Sequence, residues 1–338
     1  MIKNAVREKL LKNSKVEATI LSESRLFLQK ELVSTPVPML NVALSGQFDG
    51  GLLAGLLTIA GDSKHFKSGF GLLLMASFQQ KYPDATVLFY DSEHGIKEAY
   101  FKAFNINTEH VIHKGITNIE QLKTDLAQTL DALEFSEDPK DQVLIFIDSL
   151  GNLPSIKEVE DAIADKQVAD MTRAKQIKSL YRIVTPHLQP KNIPMIVVNH
   201  VYKELGLYPK TIVSGGSGVY LSANDVWIIG RQQDKDGKEL QGWNFVINVD
   251  KSRTVKEKSK FPINITFENG IDQYSGLLEN AVEAGIIISN AGWYVYDEQK
   301  FRRDGLDAVF EKLLKDNSFQ EFVRNKYQLS DAPIIANK

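Results

Sequence analysis

The chain has 338 residues, 43% of them apolar, enough for a sizeable core and a smaller accessory lobe, with a formal net charge of −3. The absence of cysteine excludes disulfides and zinc–thiolate sites, and the absence of any run of eighteen apolar residues excludes a spanning helix. The N-terminus, MIKNAVREKLLKNSKVEAT, is charged and lacks a signal-peptide pattern, so the sequence reads as a soluble cytoplasmic protein with no membrane partner.

Residues 1–33 place Ile2, Val6, Leu10 and Leu11 at amphipathic-helix spacing and end in the extended stretch LFLQKELVS. Pro36 and Pro38 then punctuate the chain. Residues 34–270 alternate apolar strand runs with helical patterns, which predicts an α/β fold with a doubly wound, mostly parallel sheet. Residues 271–338, with LLENAVEAGII, GWYVY and DAVFEKLLKDNSFQEFVRNKY, predict a small α+β lobe closed by helices.

Within the central region, GLLAGLLTIA predicts a strand ending at Ala60, and GFGLLLMASFQQ predicts a helix from Gly69. Between them lies GDSKHFKS, that is Gly61, Asp62, Ser63, Lys64, His65, Phe66, Lys67 and Ser68. This strand–loop–helix matches the phosphate-loop pattern, in which backbone N–H groups cradle phosphates, Lys67 reaches the terminal phosphates and the Ser68 hydroxyl helps hold Mg²⁺. Phe66 stands where the pattern places its second glycine, a costly choice if the backbone there needs positive φ.

ATVLFYDSEHG predicts a second strand ending in acids, of which Glu93 is the candidate for orienting an attacking water. QVLIFIDSL predicts a buried parallel strand that delivers Asp148 to its C-terminal end, the position of a carboxylate that assists Mg²⁺. Of the six histidines only His110 and His113 have close metal-ligand spacing, and they read as surface residues beside a strand.

Two basic stretches stand out against the acidic balance: Arg173, Lys175, Lys178 and Arg182 on a helix, and Lys251, Arg253, Lys256, Lys258 and Lys260 after a strand. Each is either a solvated face or a local phosphate-binding field. The segments NLPSIKEVEDAIADKQVADM and VYKELGLYPKTIVSGGSG read as loops at the carboxyl ends of strands, where open α/β folds bind ligands.

LFYDSEHG followed by Tyr100, then LIFIDSLGNL, then MIVVNH, together resemble the core of the RecA-family recombinases. The octet resembles in particular the UvsX-type recombinases of tailed phages, which lack the usual glycine before the lysine. Ser45–Gly46 in LNVALSG, VDKSRTVKEKSKF at Val249–Phe261 and AGWYVY at Ala291–Tyr296 extend the likeness from about Thr35 onward.

The resemblance implies an ATP- and Mg²⁺-dependent recombinase, a DNA-dependent ATPase that forms helical filaments of itself on single-stranded DNA and pairs it with double-stranded DNA in recombination, repair and replication. It also implies a single-strand-binding protein and a loader as partners, and the host cytoplasm as location. By resemblance the N-terminal segment packs on a neighbouring subunit, and Tyr100 stacks on adenine. His200, where the family commonly carries glutamine, senses the γ-phosphate. Lys251 and Arg253 reach the ATP of the adjacent subunit, and the two loops hold DNA. Lys203, Lys210, Gly215, Gly216 and Ser217 are then the DNA contacts of the second loop, with Arg173 and Lys178 adding charge. Two other readings fit the same motifs: a ring-helicase-type DNA motor, and a nucleotide-gated binding module with little turnover, which Phe66 keeps open.

Overall fold

The computed structural model describes residues 5–16, 18–24, 31–166, 172–204, 210–237 and 239–329. Contacts divide the chain into a unit up to Glu31 and a unit from Leu32 onward. In the first, helix α1 (Ala5–Lys12) leaves Val6 and Leu10 exposed. Ile2 and most of LFLQKELVS lie outside the described residues.

The second unit opens with α2 (Pro38–Ser45), where Pro38 occupies the first turn at no hydrogen-bonding cost and Gly46 ends the helix in the left-handed conformation, φ 82°. Strands and helices then alternate: β1 (Gly55–Gly61), α3 (Lys67–Lys81), β2 (Thr86–Asp91), α4 (Glu98–Ala103), β3 (Val111–Gly115), α5 (Ile119–Ala132), β4 (Val143–Asp148), α6 (Ile156–Ile163), α7 (Thr172–Leu188) and β5 (Pro194–Asn199). A hairpin of β6 (Val201–Lys203) and β7 (Thr211–Val213) leads to α8 (Ser217–Ser222), β8 (Asp225–Asp236), β9 (Glu239–Lys251), β10 (Lys260–Thr266) and β11 (Gly270–Ile271).

One nine-stranded sheet runs β11-β10-β9-β8-β1-β5-β4-β2-β3. The strands from β8 to β3 pair in parallel, and β9, β10 and β11 are antiparallel additions. The central strands carry unbroken apolar runs because both faces are covered. Their period of two sorts the side chains: Leu57, Ile59, Leu144, Phe146, Ile196 and Val198 face one core, while Leu56, Ala60, Ile145, Ile147, Met195 and Val197 face the other. Helices α2 and α3 cover the first face, and α5 and α7 cover the second through Ile119, Leu122, Leu126 and Leu130 and through Ile177, Leu180, Tyr181 and Val184.

Because β1, β5, β4 and β2 are parallel, their carboxyl ends meet at one edge; the register sets Ala60 beside Asn199 and Asp91 beside Asp148. Beyond β11 come α9 (Leu277–Glu283), a three-stranded sheet of β12 (Ile288–Asn290), β13 (Trp293–Tyr296) and β14 (Gln299–Phe301), then α10 (Asp307–Leu313) and α11 (Asn317–Tyr327). This part shares the first core: the Phe319 ring lies 5.3 Å from Phe48, and Gln328 bridges to Val255.

The first of the two expected loops contains helix α6, which the sequence reading missed; Ser155 and Glu158 form a capping box at its start. Its amphipathic IKEVEDAI was masked by a surplus of charge. Residues 167–171 of that loop and 205–209 of the second lie outside the described residues.

Candidate nucleotide-binding site

At the carboxyl edge of the sheet lies a pocket of about 320 Å³, lined by residues 63–68 of the octet and Gly69 together with Asp91, Glu93, Tyr100, Asp148 and His200. The sequence motifs therefore converge in space. The octet links β1 directly to α3, which begins at Lys67 and aims its N-terminus into the pocket. Tyr100 is 57% exposed, so its ring is not part of the core and is open to a ligand.

Phe66 adopts the left-handed conformation, φ 57° and ψ 22°, that its place in the motif demands. Its ring stacks on Phe245 and meets Phe70 edge-on, each centroid at 5.4 Å, so hydrophobic packing holds the turn that glycine would make unaided. Strand β8 braces the loop from the side. His65 Nδ1 donates to the carbonyl of Ile229 at 2.6 Å, and Arg231, stacked 4.0 Å over Trp243, donates to the carbonyl of Lys64 at 3.2 Å.

The Lys67 side chain is buried, and Nζ donates to the carbonyl of Asp62 at 2.7 Å. Burial lowers its pKa, opposed by the charges of Asp148, Glu93 and Asp62. Burial also pushes Asp148 up to about 6; Glu93 and Asp91 add to the rise, whereas a hydrogen bond from Ser68 and the charge of Lys67 oppose it. A desolvated ammonium whose hydrogen bond goes to an uncharged carbonyl, facing a desolvated carboxylate beside a hydroxyl, fits a polyanion and its metal counter-ion.

Glu93 follows β2 on a turn fixed by Asp91, whose Oδ1 accepts from the backbone N–H of Glu93 at 3.0 Å and of His94 at 2.7 Å. The Glu93 carboxylate accepts from Ser149 Oγ at 2.8 Å and Asn152 Nδ2 at 2.7 Å, and lies 3.4 Å from His200 Nε2. Ser149 and Asn152, which hold the Glu93 carboxylate, are contacts that the sequence reading did not name. Their signal was present in IDSLGN, where polar side chains follow a buried strand end.

His200 stands one residue beyond β5. Its carbonyl accepts from Ser214 N at 2.9 Å, and its neighbour Asn199 donates from Nδ2 to the carbonyl of Ser214 at 2.8 Å. The strand end is thereby tied to the start of the Gly215–Gly216 turn. Gly216 sits at φ 69° with open space around it, whereas Gly215, at φ 101°, is favoured by its backbone and also packed closely: a Cβ there would lie 3.0 Å from Ile177.

Three of the expected contact residues are engaged or buried within the chain. Arg173 is half-buried, and its guanidinium donates to Leu153 O at 2.8 Å, Gly151 O at 2.7 Å and Ser214 Oγ at 3.0 Å, bracing the two loop starts against each other. Gly215 is buried, so its backbone is not bare to a ligand. Within the single chain Lys251 donates to the carbonyls of Tyr220 and, at 2.7 Å, Ala223 at the end of α8, where a cation complements the helix dipole. Lys178, Lys203, Lys210, Ser217 and Arg253 are exposed.

A phosphate loop between a central parallel strand and a helix, flanked by carboxylates from neighbouring strand ends, defines a P-loop nucleotide-binding protein of the doubly wound class. The family model described as the RecA N-terminal domain matches residues 6–272, and the chain belongs to the RecA family, whose members are DNA-dependent ATPases. The chain is 46% identical over 340 residues to the "Recombination and repair protein" of Enterobacteria phage T4, covering 96% of this chain and 86% of that protein. It is 26% identical over 293 residues to "Protein RecA" of Streptomyces rimosus, covering 85% and 73%, and 24% identical over 310 residues to "Protein RecA" of Ruminococcus albus, covering 90% and 74%.

Proposed function

We propose that the chain is an ATP-dependent DNA recombinase that assembles on single-stranded DNA and exchanges it with a homologous duplex. The pocket takes ATP with Mg²⁺. Residues 61–69 cradle the phosphates, Lys67 meets the terminal phosphates, and Tyr100 stacks on the base. Ser68 and Asp148 would hold Mg²⁺, which would supply positive charge against the phosphates. Glu93, released from Ser149 and Asn152, orients the attacking water.

The observation that carries this reading is the chain of contacts from Glu93 through His200 and Asn199 to Ser214, the residue before the Gly215–Gly216 turn, because it joins the nucleotide pocket to the loop proposed for DNA. His200 senses the occupied pocket, and the change in its contacts biases that loop. Lys203, Lys210, Gly216 and Ser217 then contact the phosphate backbone with Lys178, while Arg253 and the N-terminal segment serve the neighbouring subunit. A single-strand-binding protein and a loader are the expected partners. The 46% identity to a phage recombination protein favours this reading over a ring motor or a passive switch. No described helix is long and apolar enough to cross a membrane.

The test is ATP hydrolysis with and without single-stranded DNA, with Lys67→Ala as the blank. Stimulation by DNA that disappears in the variant is expected; a rate indifferent to DNA would overturn the reading.

A further inference from the structure

We propose that Asp91, His94 and His113 form a transition-metal site, suited to Zn²⁺ or a similar ion, beside the segment that carries Glu93. The sequence spacing pairs His113 with His110. The fold pairs it elsewhere, because β3 runs beside β2 with His113 opposite Phe89, on the sheet face that Asp91 shares. Among the described residues, one donor atom from each of Asp91, His94 and His113 lies within 4.8 Å of the others. His113 Nε2 is 3.2 Å and His94 Nδ1 3.7 Å from the same oxygen, Asp91 Oδ2.

Each donor is held before any ion arrives. Asp91 is buried and its Oδ1 is engaged by the two backbone N–H groups, which leaves Oδ2 turned to the imidazoles. The His113 ring is stacked on Phe89 at 5.3 Å and 20°. His94 holds φ 49° with its ring edge against Gly115, where an added Cβ would come within 3.1 Å. Metal–ligand bonds of roughly 2.0–2.2 Å place neighbouring donors about 3–4 Å apart, so small ring rotations complete the set. Two imidazoles and one carboxylate, without thiolate, select zinc, cobalt or nickel over magnesium. Both histidines are more than half exposed, so further coordination positions open to water.

An ion here ties His94, the residue after Glu93, to β3. Glu93 is thereby held in its contacts with Ser149 and Asn152, which slows turnover. Metal binding itself does not depend on the nucleotide reading; the effect on turnover rests on it.

The probe is Zn²⁺ alone, in equilibrium dialysis against millimolar Mg²⁺, with Co²⁺ absorption as the spectroscopic readout. Wild-type protein is expected to bind about one ion per chain, His94→Asn and His113→Asn each to weaken binding at least about tenfold, and the double variant to lose the cobalt bands. Should the double variant misfold, His94→Asn carries the test, since that side chain is exposed. Equal zinc binding by wild type and His94→Asn, or none by wild type, overturns the site. Zinc binding that leaves ATP hydrolysis unchanged overturns the tie to Glu93 alone.

Discussion

Phe66 stacks on Phe245 with ring centroids 5.4 Å apart and planes 29° apart, while its backbone stands in the left-handed region at φ 57°. The strain, about 1–2 kcal/mol for a residue with a Cβ, is matched by aromatic contacts with Phe245 and Phe70 of about 0.5–1.5 kcal/mol each. Phe66→Gly should keep the loop conformation and nucleotide affinity but lower stability by roughly 1–3 kcal/mol through lost packing. Phe66→Val should lose both, since β-branching resists positive φ. Thermal melts and nucleotide titrations check this; loss of ATP binding in Phe66→Gly would show that the ring itself is needed.

Asp148 has its pKa pushed up to about 6, above the ordinary carboxylate value. Between about pH 4 and pH 6 the folded protein therefore keeps a proton that the unfolded chain has lost. Stability is then greatest below that window and declines as pH rises through it, by on the order of 3 kcal/mol in full. Asp148→Asn should melt higher than wild type at pH 8, with the gap closing towards pH 4, and should not hydrolyse ATP. Wild-type turnover should fall below about pH 6 as Asp148 protonates. A melting difference independent of pH would contradict the assignment.

Glu93 has two donors, Ser149 and Asn152, that hold its carboxylate in place. Glu93→Gln should cut turnover by about 10²–10⁴ while leaving ATP-dependent DNA binding in place. Ser149→Ala removes one charge-assisted hydrogen bond that holds Glu93 at rest and should raise basal kcat roughly tenfold, with little change in KM. Steady-state rates beside filter binding distinguish the two.

His200 contacts Glu93 on one side and the Ser214 backbone on the other. His200→Ala should retain basal hydrolysis within about threefold yet lose most of the stimulation by single-stranded DNA, whereas His200→Gln, which can still donate one hydrogen bond, should keep much of it. Stimulation unchanged in His200→Ala would break the proposed path.

Arg173 braces Gly151, Leu153 and Ser214 from inside. Arg173→Ala should destabilise by about 2–4 kcal/mol, because it leaves buried carbonyls unpaired. Lys178→Ala and Lys210→Ala should instead melt like wild type and each reduce the slope of log affinity against log salt by about one. DNA titrations at several salt concentrations read the difference.

The strand–loop–helix around Lys67, the acids at the ends of β2 and β4, and the doubly wound class were all legible in the sequence. Buried parallel strands need continuous apolar runs, and a polar residue where such a run stops marks the edge at which ligands bind. These are local patterns of period and termination, so a linear reading recovers them. What each exposed-looking cation touches is not local. Arg173 turns inward to Ser214, 41 residues away, and Lys251 reaches back 28 residues to Ala223. Ser149, Asn152 and His200 meet at Glu93 only because β4 and β5 lie where the sheet order places them. His113 reaches Asp91 through the register of β3 on β2. Register and strand order are decided by burial of whole faces over the entire sheet, and no single segment carries that information.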